Sequence, residues 1–190
     1  MPRNRADVER DAKQEEILDA ASRLFLADGV ETTSMTKVAS AAGVAKNTVY
    51  WYFKDKDALL LAVLGRELRL ASGAWEVQAP DLADRMVAVV GLFARIDRLS
   101  SAVHARLRTS PLLAEWHARF HAGSDRWLGR EIEVHLRSQG QQPLAPEELA
   151  AVVRIWTYAI EGLVAHEAPV DEVRRVCRVL VAQLRPTAAS

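Results

Sequence analysis

Apolar residues recur at spacings of three and four along almost the whole chain, and no run alternates as a half-buried strand would. Ile17, Ala20, Ala21, Leu24 and Phe25 mark a first amphipathic helix, which Gly29 is placed to stop. The hydroxyls of Thr33 and Ser34 can then cap a short helix through Ala42 that Gly43 ends. A second short helix has to fit between Ala45 and Phe53. Asp55 can cap a longer one carrying Leu59, Leu60, Val63, Leu64 and Leu68. Past Gly73 the stretch "AWEVQAPD" interrupts the pattern, and Pro80-Asp81 restarts it. The later spacing predicts helices near 81–99, 101–109, 111–138, 146–166 and 171–185, punctuated by Pro111, Gly140, Pro143, Pro146, Pro169 and Pro186. The chain is expected to be all-α.

Two helices of two turns each, joined by "AGVA", cannot persist without longer neighbours, which makes residues 13–60 read as a three-helix, helix-turn-helix domain. Gly43 supplies a left-handed position in the turn, and Val44 can plug the gap. The connecting helix is expected over 55–73 and a second helical domain over 74–190. Residues 1–12, "MPRNRADVERDA", read as a mobile charged arm; Arg3, Arg5 and Arg10 there could follow DNA, but interleaved Asp7, Glu9 and Asp11 favour a solvated tail.

At about 100° per residue from Lys46, Val49 and Phe53 fall on one side of the second short helix, and Asn47, Thr48 and Trp51 on the other. Tyr50 and Tyr52 take the flanks. Such a face suits the DNA major groove: Asn can pair with adenine, Thr and Trp can touch a thymine methyl, and edge hydroxyls and ammonium groups can bond phosphates. Lys56 would add its charge to the positive N-terminal end of the next helix. The bland alternative is a helical hairpin whose aromatics pack under a neighbouring subunit.

Net charge is zero over the 190 residues and says nothing of a partner, but the distribution does. All lysines lie at Lys13, Lys37, Lys46, Lys54 and Lys56, and from Thr32 to Lys56 the only acid is Asp55. Cys177 stands alone, which excludes an internal disulfide and a cysteine-based zinc site. With no charged-then-apolar leader and no apolar stretch long enough for a bilayer, the chain reads as soluble and cytoplasmic, without a membrane partner.

The stretch "ILDAASRLFLADGVETTSMTKVASAAGVAKNTVYWYFKDKDALLLAVL", Ile17 to Leu64, resembles the DNA-binding domain of the TetR family of transcriptional regulators. The resemblance rests on Ile17, Ala20, Leu24, Phe25 and Gly29, on Thr33-Ser34, on "VASAAGV", and on the Tyr-x-Tyr-Phe-x-x-Lys run of Tyr50, Tyr52, Phe53 and Lys56. It implies a homodimer that reads successive major grooves of a partly palindromic double-stranded operator, usually to repress transcription until a small molecule releases it. Carried over, Tyr50, Tyr52 and Lys56 match phosphate-contacting positions, Lys46, Asn47, Thr48 and Trp51 match the variable base-reading positions, and Ser34 can also reach a phosphate. Two positions depart from the pattern. Ala45 replaces the usual serine cap, so the recognition helix is expected to become fully ordered only on DNA; Lys37 replaces a capping-box acid and offers one more phosphate partner.

Beyond Gly73 the resemblance is weak, apart from "IEGLV" at Ile160–Val164, which resembles the penultimate helix of the family's dimer bundle. Apolar seams through Val152, Trp156, Ile160 and Leu163, and through Val173, Val176, Leu180 and Leu184, read as a dimer interface or as internal core. Leu113, Trp116, Phe120, Trp127 and Val134 stripe one face of the long helix. Such a stripe is ordinarily core; the functional alternative is an apolar effector cavity walled by Phe93, Trp116, Phe120, Trp127, Trp156 and Tyr158, with His117, His121 and Glu161 as polar contacts. Two imidazoles without a nearby Cys or Asp are too few for a metal, so neither metal nor cofactor is expected. The absence of a phosphate loop, nucleophile elbow, carboxylate pair or redox cysteine pair argues against an enzyme. A helical small-molecule-binding protein or enzyme with a vestigial helix-turn-helix remains the rival reading.

Overall fold

The computed structural model describes residues 5–75 and 81–184, with side chains omitted for residues 5, 6 and 71–75. Arg3, Pro80 and Pro186 lie outside the described residues. Nine helices and no strand occur among the described residues: α1 (Arg5–Asp28), α2 (Met35–Ala41), α3 (Lys46–Tyr52), α4 (Lys56–Trp75), α5 (Leu82–Arg95), α6 (Asp97–Arg106), α7 (Pro111–Ser138), α8 (Pro146–Ala165) and α9 (Val170–Ala182). None is long and apolar enough to cross a membrane.

Two compact units divide the chain, and they are not contiguous in sequence. One runs to Leu70 and takes in Ile96–Trp116; the other joins Ala71–Arg95 to the chain from His117 onward. The first break falls close to the expected boundary at Gly73, whereas the inclusion of α6 in the first unit had no counterpart in the sequence reading.

In the first unit α1 packs on α2 and α6, and α2 on α3. Ile17, Ala21 and Phe25 of α1, Val38 of α2, Val49 of α3, and Leu59, Leu60 and Val63 of α4 are fully enclosed. The charged stretch expected to form a mobile arm is helical from Arg5. Acids and bases one turn apart, Asp7 with Arg10 and Lys13 with Glu16, turn its charge pattern into helix-supporting pairs. The expected break near Leu99 occurs at Ile96, which is buried while its carbonyl accepts from the amides of Leu99 and Ser100. That apolar anchor outweighs the serines at 100 and 101 that look like a boundary.

In the second unit α5 packs on α9 and α8. Its core joins Leu82, Met86, Val89 and Val90 of α5 to Leu128, Ile132 and Leu136 of α7, Val153 and Trp156 of α8, and Val173, Cys177 and Leu184. Burial pushes the Cys177 thiol up from its ordinary pKa, so it behaves as a small apolar side chain.

Candidate nucleic-acid interface

Local chemistry sets the angle between α2 and α3. Ser34 caps α2, its Oγ accepting the Lys37 amide at 3.1 Å, while the buried Thr33 donates its hydroxyl to the Gly29 carbonyl at 2.8 Å. Gly43 takes a φ of +64°, which lets the Val44 amide turn back to the Ala39 carbonyl at 3.0 Å. Ala45 has the extended backbone of an N-cap and no side chain to complete it. Helix α3 is nevertheless formed, because Val49 and Phe53 are driven into the core.

That anchoring decides what faces outward. Lys46 and Asn47 are exposed, Tyr50 is largely exposed, and Trp51 stands 68% exposed. A large indole left in water on a short helix is costly unless it meets a partner. The Lys46 ammonium lies 5.7 Å from the centre of the Tyr50 ring, keeping a positive charge at the edge of this face. Thr48 is half-buried.

The remaining sequence-derived contacts are engaged within the unit. Tyr52 is half-buried, stacks edge-on against Trp51, and donates its hydroxyl to the Arg10 carbonyl at 3.2 Å, tying α3 to α1. Lys56 donates to the carbonyls of Val30, Glu31 and Thr33 at 2.9, 3.2 and 3.4 Å, so its three protons hold the loop between α1 and α2. In the free chain its ammonium is thus engaged by backbone carbonyls. Lys37 pairs with Asp28 at 2.6 Å on the surface, a weak and exchangeable contact.

Three arginines that the sequence reading passed over brace this unit. Arg66 of α4 reaches Glu15 and Asp19 of α1 and its neighbour Glu67, whose buried carboxylate accepts the Ser22 hydroxyl at 2.7 Å. Arg98 of α6 donates to the Leu26 and Ala27 carbonyls at the end of α1, and Arg106 bridges Asp57 and Glu31. The available signal was Ser22 and Glu67, each a polar residue set into an otherwise apolar stripe.

The residues proposed for an effector cavity separate. Trp156 is 2% exposed inside the second unit's core, Trp127 and Phe93 pack against that core, and Phe93 meets Phe120 edge-on at 6.0 Å. Trp116 falls in the first unit. His117, His121, Tyr158 and Glu161 instead line a groove of ≈ 660 Å³ between α7 and α8, with Asp125, Arg126, Arg130, Glu133, Arg154 and Thr157. Ligand-sized space therefore lies along a groove whose lining mixes charged side chains with Pro146, Leu149, Ala150 and Val153, away from the aromatic residues expected to wall it. The sequence signal for it was the ladder His117, His121, Asp125 at four-residue spacing.

The two apolar seams divide in the same way. Trp156, Val173 and Leu184 are consumed by the subunit's own core, with Val152, Ile160, Leu163 and Leu180 packed at its edge; Val176 is half-buried. Ile155 and Tyr158 on α8 and Val170 and Val179 on α9, none of them among the expected interface residues, are the large apolar groups left in water.

Residues 17–63 match the model of the family described as bacterial regulatory proteins, tetR family. That quarter of the chain is similar to the DNA-binding domain of the TetR family. The chain is 50% identical over 46 residues to the HTH-type transcriptional regulator AcrR of Shigella flexneri, covering 24% of this chain and 21% of that protein. It is 31% identical over 102 residues to the HTH-type transcriptional repressor BepR of Brucella suis, covering 50% and 49%. The chain thus spans a fifth of one of these relatives and half of the other. In fold it is similar to MexZ of Pseudomonas aeruginosa, with a TM-score of 0.65 at 24% identity over 93% of this chain and 96% of that one. These relatives are regulators rather than enzymes.

Proposed function

We propose that the protein is a sequence-specific transcriptional regulator, a repressor that binds a partly palindromic operator as a dimer in the cytoplasm and is released by a small molecule. The observation that carries this reading is the outward face of α3, where Asn47, Tyr50 and Trp51 stand in water while Val49 and Phe53 hold the helix down. In a major groove, Asn47 has the donor and acceptor of an adenine reader and Trp51 the apolar area for a thymine methyl. Ser34, Lys37, Lys46 and Tyr50 border that face and serve the phosphates. Tyr52 and Lys56 act one step back, by fixing α3 and the preceding loop. A palindromic site needs two copies, and Ile155, Tyr158, Val170 and Val179 on α8 and α9 supply the apolar surface for pairing.

Electrophoretic mobility shifts on the DNA upstream of the protein's own coding region test the proposal. Salt-sensitive binding that Tyr50→Ala and Trp51→Ala both weaken is expected. Binding indifferent to both substitutions and to salt would favour the rival, a helical binder whose helix-turn-helix is vestigial. An ultracentrifuge mass of one subunit at micromolar concentration would remove the dimer from the proposal.

A further inference from the structure

His117 and His121 stand one turn apart on α7, and their Nε2 atoms are 3.0 Å apart, with the ring centres separated by 4.3 Å and the rings tilted by 55°. Both rings therefore direct the same nitrogen to one point in the wall of the α7–α8 groove. Two nitrogens bound to one tetrahedral ion at about 2.0–2.1 Å each stand about 3.3 Å apart, so chelation asks for only a few tenths of an ångström of adjustment.

The register of the two helices brings a carboxylate into the same groove. Thr157 donates to Asp125 at 3.3 Å, and Gly129 faces Leu149 and Val153, so the helices run antiparallel. One turn back from Asp125 on α7 is His121. One turn forward from Thr157 on α8 is Glu161, which lines the same groove. Two imidazoles, a carboxylate and water form the donor set of a borderline first-row metal ion such as zinc.

We propose that the α7–α8 groove holds a divalent transition-metal ion on His117 Nε2 and His121 Nε2, with Glu161 across the groove as its carboxylate. The absence of a nearby cysteine, which weighed against a metal in the sequence, is answered by the convergence of the two imidazole nitrogens. Binding stands on its own geometry; only its use as the regulatory signal rests on the proposed DNA-binding function.

Titration of the full chain with Zn²⁺ in a non-coordinating buffer, followed by calorimetry, tests the site, with Co²⁺ absorption as the spectroscopic check. Saturation at one ion per chain is expected, with visible cobalt bands of a low-coordinate nitrogen and oxygen site. Outer-shell changes alone cost about 10–100-fold in metal affinity, so His117→Gln and His121→Gln should each cost no less, and Glu161→Gln should weaken binding and shift the cobalt bands. His166→Gln, at a residue outside the groove's lining, should bind as the parent does. Circular dichroism separates lost ligation from lost fold.

Absence of saturable binding by the folded parent overturns the proposal. So does zinc affinity that survives the double substitution of His117 and His121. Mobility shifts with and without Zn²⁺ separate the two readings. One zinc held by these histidines on a chain that binds no operator keeps the site and removes the regulator, whereas operator binding without any zinc binding does the reverse.

Discussion

The two units solve opposite packing problems. In the first, α2 and α3 have only seven residues each, and the elements that carry them are braced by charge: Arg66, Arg98, Arg106 and Lys56 spend their donors on α1, α4 and the loop before α2. In the second, longer helices enclose an aliphatic core around Trp156 and Ile132, and polar groups are pushed out into the α7–α8 groove. A domain that must present a rigid reading face gains from directional contacts, which fix orientation as well as distance. A domain built on apolar area gains stability but leaves its surface chemistry free.

The sharpest way to break this contrast lies on α8, where residues two positions apart have opposite surroundings. Trp156→Ala empties a fully packed site and should destabilise the protein by about 3–5 kcal/mol in denaturant unfolding. Tyr158→Ala, at 64% exposure, should leave the intrinsic stability of the fold within about 0.5 kcal/mol and instead weaken the proposed dimer, measured as a concentration-dependent mass in sedimentation. Equal effects from the two substitutions would mean that α8 faces the core differently.

Next in size is the brace itself. Lys56→Met keeps the length of the side chain and removes three donors from half-buried carbonyls, at a cost of about 1–2 kcal/mol after allowance for partial exposure. Lys37→Met breaks only the surface pair with Asp28 and should cost less than about 0.5 kcal/mol. Hydrogen exchange at residues 30–33 should quicken in the first variant and stay unchanged in the second. If both variants lose operator affinity without any change in exchange, Lys56 contacts DNA rather than the loop.

The difference between the units also governs how far the sequence could be read. The helix-turn-helix was visible because its determinants are local: Ser34 as a cap, Gly43 at positive φ, and the phase of Val49 against Trp51 all lie within twenty residues. The bonds of Lys56 and Tyr52 within the chain were not legible, since their partners, the Val30 and Arg10 carbonyls, are 26 and 42 residues away. On α8 and α9 the seams were found but not their phase. A helix with apolar groups at Val152, Ile155, Trp156 and Tyr158 has two candidate inner faces, and only the positions of α5 and α7 decide that Trp156 turns in and Ile155 out. The groove between α7 and α8 depends on a register set by Gly129, Asp125 and Thr157, to which no single segment points.

On the reading face, Trp51→Ala should leave the melting temperature unchanged, since the ring is mostly in water, and lower operator affinity by about 1–3 kcal/mol, a tenfold loss or more. Competition with operator variants sharpens this. The loss should shrink where the contacted thymine is replaced by a base without the methyl group.

The smallest expected effect tests whether α3 owes its order to the charge-braced unit or to DNA. Ala45 already has the extended backbone of a cap, with φ −67° and ψ 148°, so Ala45→Ser adds only the missing oxygen, within reach of an amide in the first turn. Stability should rise by about 1 kcal/mol, read as a higher denaturant midpoint. Operator affinity should not change, because Val49, Phe53 and the Tyr52 hydroxyl hold α3 in place before any DNA arrives. A helix that frayed in the free protein would behave differently: the cap would remove part of the ordering cost of binding, and ~1 kcal/mol would appear as ~fivefold tighter binding.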